Sequence, residues 1–159
     1  MTPLRLRAID QIDLSVIAAH LQDAVAKISD MGMDAKKRRF ALLLNRFMWE
    51  DVEDEKGKGP KADKSAPYRR VRTALHFDGV LRVQAAGLKL SNKQAVAELL
   101  TLKFDLGSEP AGVVTLTFAG GGAVKLEVEC LDVWLNDMSA PWSTTLRPGH
   151  EVGADEPIS

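Results

Sequence analysis

Arginines and lysines crowd one stretch of this 159-residue chain: Lys36-Lys37-Arg38-Arg39, Arg46, Lys56, Lys58, Lys61, Lys64 and Arg69-Arg70-Val71-Arg72. Between Lys36 and Arg82, thirteen basic residues stand against seven acidic ones, a local charge of +6 against -7 over the remainder. A patch of that sign attracts phosphates and carboxylates. Arg46, Arg70 and Arg72 fall on strand-like segments and are the candidate anion-binding residues, because a guanidinium presents its N–H donors as a planar fork that matches an oxyanion. A blander reading competes and ranks above it: solvated strand ends and a charged loop that keep sheet edges from associating. Aromatics make up only 6% of the chain, and Tyr68 is the single tyrosine near the arginines, so the interleaved stacking platform of single-strand nucleic-acid binders is not evident.

The other reactive residue types do not assemble into a motif. His20, His76 and His150 lie on a helix, a strand and the C-terminal tail, without the i+2 or i+4 partners of a metal site. His76 stands two residues from Asp78, which has the look of a base and its orienting carboxylate. Asp78 begins an Asp-Gly turn, however, and a half-exposed strand histidine is the plainer reading. Cys130 continues the inward alternation of Val124, Leu126 and Val128, which predicts a packed core thiol rather than a nucleophile. Gly120-Gly121-Gly122 separates two strand patterns, whereas a phosphate cradle would lead from a strand into a helix. We expect no catalytic residue, no metal and no cofactor.

These residues need a scaffold, and the strongest element is Arg38–Trp49. Phe40, Leu42 and Leu44 line one face and Ala41, Leu43, Phe47 and Trp49 the other, which predicts a central strand covered on both sides. Upstream, Asp13 precedes Leu14, Ile17, Ala18 and Leu21, an N-cap followed by one apolar helix face, so a helix is predicted over about 13–23. A strand over 25–33 then turns at 34–37 into the central strand. Segment 51–67 is polar with mixed charges and is predicted to be a mobile loop. Strands over 71–77 and 80–86 flank Asp78-Gly79, the dipeptide of a tight hairpin, with Leu81, Val83 and Ala85 inward. Alternation over 100–106, 114–118 and 124–130 gives three more strands. Leu131, Trp134, Leu135 and Met138 sit at helical spacing, so a short amphipathic helix is predicted to follow, and 139–159 reads as a tail whose start Trp142 pins.

Size and composition bound the rest. With 45% hydrophobic residues the chain can bury one core, giving a single domain over 4–138. The start lacks the apolar run of a signal peptide, no window approaches a membrane span, and one cysteine fits a reducing compartment; a cytoplasmic location with no membrane partner is expected.

The blocks LQDAVAKISDMGMDAKKRRFALLLNRFMWE at 21–50 and RRVRTALHFDGVLRVQAAGL at 69–88 resemble an alphaproteobacterial family, domain of unknown function 2948. The resemblance covers Leu4 to about Met138 and implies a bacterial origin, but no activity. Separately, seven strands with a closing amphipathic helix resemble pleckstrin-homology-like barrels. The fold class is therefore α+β, a predominantly antiparallel seven-stranded barrel or sandwich with an N-terminal and a short C-terminal helix. The leading function is a non-enzymatic interaction or scaffold domain acting on a protein partner or as a homo-oligomer. The alternative is a binder of an anionic ligand or nucleic acid through 36–72, and the second alternative an enzyme whose site sequence does not associate. If the strands around Arg46 and Arg72 pair across the 51–67 loop with Glu50 near Tyr68, those two arginines stand opposite each other. Their repulsion would then need a carboxylate, solvent or an anion, and we expect the carboxylate. The same register predicts that the N-terminal helix covers Leu42 and Leu44.

Overall fold

Arg39–Phe47 is a strand because Phe40, Leu42 and Leu44 alternate on one face and its neighbours supply a partner on each edge. In a computed structural model, which describes residues 3–52, 68–144 and 148, those residues form eleven strands and one α-helix. In order these are β1 (Arg5–Ala8), α1 (Gln11–His20), β2 (Val25–Lys27), β3 (Met31–Asp34), β4 (Arg39–Phe47), β5 (Tyr68–Phe77), β6 (Val80–Ala86), β7 (Val96–Leu106), β8 (Gly112–Phe118), β9 (Ala123–Val128), β10 (Val133–Asp137) and β11 (Trp142–Thr144).

All pairings are antiparallel, in the order β1-β10-β5-β4-β2-β7-β8-β9-β6, with β3 added on β4 and β11 on β5. The sheet is antiparallel as expected, but it has eleven strands rather than seven and does not close into a barrel. Inner-face residues from both ends, Leu44, Leu75 and Leu135 from one and Leu116, Leu126 and Val128 from the other, share one core. The sheet thus folds over on itself.

Helix α1 begins earlier than predicted. Asp10, not Asp13, is the N-cap, its Oδ1 accepting from the Asp13 N–H at 2.8 Å. Leu14, Ile17 and Leu21 are fully buried, each worth about 1.5–3 kcal/mol in apolar area removed from water. They join the same core as Leu42 and Leu44, while the helix itself lies mainly against β1 and β7.

Five local expectations are corrected. Asp78-Gly79 does not close a hairpin, because β5 pairs with β4 and β10, whereas β6 pairs with β9. Gly79, at φ +70°, instead turns the chain out of one half of the sheet and into the other, its carbonyl accepting from the Glu129 N–H. A register shift between Val80 and Arg82 then buries Val80 and leaves Leu81 exposed, reversing its predicted orientation. Residues 133–137 are strand β10, not a helix: Leu131, Val133 and Leu135 also alternate, and the free edges of β1 and β5 supply backbone partners on both sides. Cys130 is exposed, since β9 ends at Val128 and a bend carries the chain away from the core. The predicted tail contributes β11, in which Trp142 lies opposite Arg70. The Asp34–Lys37 turn and the triple-glycine turn form as predicted, the latter with the Phe118 N–H donating to the Gly122 carbonyl. Positions 53–67 of the predicted loop lie outside the described residues.

Candidate functional site

The register of β4 and β5 decides where the basic residues go. Arg46 lies opposite Val71 and Asn45 opposite Arg72, one residue away from the predicted pairing. A slip of one residue exchanges faces. Arg46 therefore points into the interior with Leu42, Leu44, Val71 and Thr73, while Arg70 and Arg72 point outward. The expected opposition of Arg46 and Arg72 does not occur.

Arg46 is completely buried, and its guanidinium is held by two carboxylates. Nη1 and Nη2 donate to the two Glu50 oxygens at 2.9 and 2.8 Å, and Nε and Nη2 donate to the two Asp137 oxygens at 2.9 Å each. Asp137 also accepts from the Leu4 backbone N–H at 3.0 Å, which ties β1 to the end of β10. His20 Nδ1 lies 3.8 Å from Glu50. Partial burial pushes the Glu50 carboxyl up, but the two hydrogen bonds and the charge of Arg46 more than reverse this and hold it well below the usual carboxylate range. Burial likewise lowers the Arg46 pKa, and its two carboxylate partners raise it above the ordinary value.

A cleft of about 410 Å³ opens beside this cluster, with Met48, Glu50, Val71, Asp137 and Met138 among its walls. Two carboxylates thus converge on a partly apolar hollow. Both already bind Arg46, so protonating either one would discard charge-assisted hydrogen bonds in a buried setting.

The outer face has a different chemistry. Reading across β1, β10, β5 and β4, one row is Arg7, Trp134, His76 and Ala41, and the next is Arg5, Asn136, Ala74 and Leu43. Asn45 with Arg72, and Arg70 with Trp142, complete the surface, while Phe47 in the same row is buried beneath Trp49, Tyr68 and Arg70. Ala41 and Leu43 are only half-buried, so the second face of β4 lacks the full cover that its apolar sequence predicts. Arg7 lies over the Trp134 ring at 4.6 Å, and His76 is stacked with the same ring at 6.1 Å and 16°. Around them Arg7 pairs with Asp132 at 3.0 Å, Arg39 with Asp78 at 2.7 Å and Arg72 with Asp30 at 3.2 Å. Burial lowers the His76 pKa and the Arg39 charge lowers it further, outweighing Asp78 and Asp132, so its imidazole is favoured in the neutral form. Arg5, Arg7, Arg39, Arg70 and Arg72 against Asp30, Asp34, Asp78 and Asp132 leave this face with a surplus of one positive charge.

Of the three anion-binding candidates, the structure separates Arg46 from Arg70 and Arg72. Arg5, Arg7 and Trp134 were not singled out from sequence. Arg5 and Arg7 alternate with Leu6 and Ala8, a period-2 signal visible in RLRA, but the four residues of β1 give too short a run to stand out. Trp134 sits at helical spacing with Leu131, Leu135 and Met138, which hides its place on a strand. Among the described residues no group of three or more His, Cys, Asp or Glu side chains could hold a metal ion, and no helix is long and apolar enough to cross a membrane.

A family model described as "Protein of unknown function (DUF2948)" matches residues 4–150. No curated protein and no solved structure matches the chain.

Proposed function

We infer that this chain, which belongs to the DUF2948 family, is a non-enzymatic interaction domain whose binding surface is the outer face of the β1-β10-β5-β4 sheet. Its ligand is anionic and carries flat rings, the combination offered by single-stranded nucleic acid. The observation that carries this reading is the row Arg7, Trp134 and His76, an indole flanked by a cation and an imidazole on an open, arginine-bordered sheet face. A base is as flat as the guanidinium now over Trp134 and could stack there, releasing Arg7 to a phosphate. Arg5, Arg70 and Arg72 then track the backbone. An enzymatic reading built on Glu50 and Asp137 is weaker, because both acids are bound to Arg46.

Fluorescence titration with a single-stranded oligonucleotide across a salt series tests the proposal. About four phosphate contacts predict a log–log slope near -3, and Arg72→Gln or Arg5→Gln should each reduce its magnitude by about 0.7. Trp134→Phe should remove the quenching of the indole. Absence of binding at low salt, or binding that neither arginine substitution weakens, would overturn it.

A further inference from the structure

We propose that the outer edge of β6 is a self-association surface, on which a second copy of this chain adds its own β6 antiparallel so that two sheets join into one. The inference is independent of the ligand face, since β6 and β1 are opposite ends of the strand order.

Strand edges expose unpaired N–H and C=O groups, and proteins normally guard them with charge, proline or shortness. Among the described residues four strands pair with a single neighbour, and of these β11 is only three residues long. β1 is four residues long, carries Arg5 and Arg7 and follows Pro3. β3 is also four residues long and ends on Asp34, next to Lys36 and Lys37. β6 has seven residues, VLRVQAA, with Arg82 its single charge and no proline. One side of it bonds β9; on the other, only Val80 donates to a neighbour, the Arg38 carbonyl at 2.9 Å. From Leu81 to Ala86 that side is bare.

The side chains lead to the same place. Ala85 is paired with buried Val124 and so lies on the core-facing side of the sheet, yet it is exposed. Leu81, the extra residue of the bulge, is 56% exposed and adds apolar surface beside Arg82 rather than on the inner face. The inner face therefore runs past the end of the core at this edge, leaving apolar surface that an added strand would cover.

A two-fold axis through Val83 makes the edge self-complementary. Val83 then meets Val83 of the second copy and Arg82 meets Gln84, so no like charges stand opposite. The next strand agrees with this: Arg82 is backed by Glu127 at 3.7 Å, and Gln84 is paired with Lys125. Each outward row would read Glu127, Arg82, then Gln84 and Lys125 of the second copy. A chain with Arg82 facing itself would repel its copy; this spacing avoids that.

Sedimentation velocity of the full chain from about 1 to about 300 µM tests the proposal, with a concentration-dependent dimer expected. Gln84 is exposed, so its substitution leaves the folded monomer intact. Gln84→Glu places a carboxylate opposite Arg82 twice per dimer and should tighten dimerisation about tenfold, while Gln84→Lys should weaken it about tenfold. In a Cys130→Ser background, Val83→Cys should oxidise to a covalent dimer faster than Ile12→Cys, an exposed control on α1. A monomer throughout the range, shifts of the same sign for the two Gln84 variants, or no preference for cross-linking at position 83 would overturn the proposal.

Discussion

Replacing Arg46 with methionine keeps the length of the side chain but removes the charge that balances Glu50 and Asp137. The carboxylates do not suffer equally. The Asp137 side chain is 5% exposed and would retain, among the described residues, only the Leu4 N–H as a partner, whereas the Glu50 side chain is 35% exposed and can turn to water. Leaving one buried charge unpaired costs about 3–5 kcal/mol, and the Glu50 contribution, screened by solvent, adds about 1 kcal/mol at most. We therefore expect Arg46→Met to lose about 4 kcal/mol, a fall in melting temperature of roughly 10 °C for a chain of this size. Urea denaturation followed by circular dichroism gives the loss directly, with the m-value reporting whether the folded state has kept its compactness. The double variant Arg46→Met with Asp137→Asn should recover about 1–2 kcal/mol, because it removes the stranded charge. A loss below about 1 kcal/mol, or a double variant no more stable than Arg46→Met alone, would refute the reasoning. The pH dependence follows from the depressed Glu50 pKa. Its stabilisation is fully present above the ordinary value of 4.5 and is lost as pH falls from there toward the depressed folded value, and Arg46→Met should flatten that acid limb.

His76 should titrate by NMR below its ordinary value of 6.5, and stability should decline as pH falls through that value, because the unfolded imidazole takes up the proton first. Arg39→Gln should raise the His76 midpoint, since it removes a repelling charge and releases Asp78; an unchanged midpoint would show that burial alone sets it. Gly112→Ala should cost about 2–3 kcal/mol in urea denaturation, because a Cβ there would lie 2.5 Å from the Asp105 carbonyl oxygen and 2.6 Å from the Phe104 ring; a neutral result would mean that β7 and β8 can spread at their open end.

The alternating segments were legible in the residues themselves. Val71 to Phe77, Val114 to Phe118 and Val124 to Val128 each put their apolar positions on the core face, as a period of two requires. The glycine turn at 120–122 and the polar turn at 34–37 were equally local, because positive φ and side-chain capping depend on a few adjacent residues. Strand partners were not legible. Leu131, Val133, Trp134, Leu135 and Met138 satisfy a helical and an extended period together, and only the edges of β1 and β5 choose between them. Asp78-Gly79 has hairpin chemistry, but a turn specifies a reversal of direction, not which strand will be hydrogen-bonded on the far side. The candidate site depended on the same missing information. The crowding of basic residues between 36 and 82 is a matter of residue order alone, whereas a single residue of register between β4 and β5 decided that Arg46 is buried between carboxylates and Arg72 stands outside. Arg7, Trp134 and His76 come from three separate strands, and hydrogen bonding between those strands alone makes them neighbours.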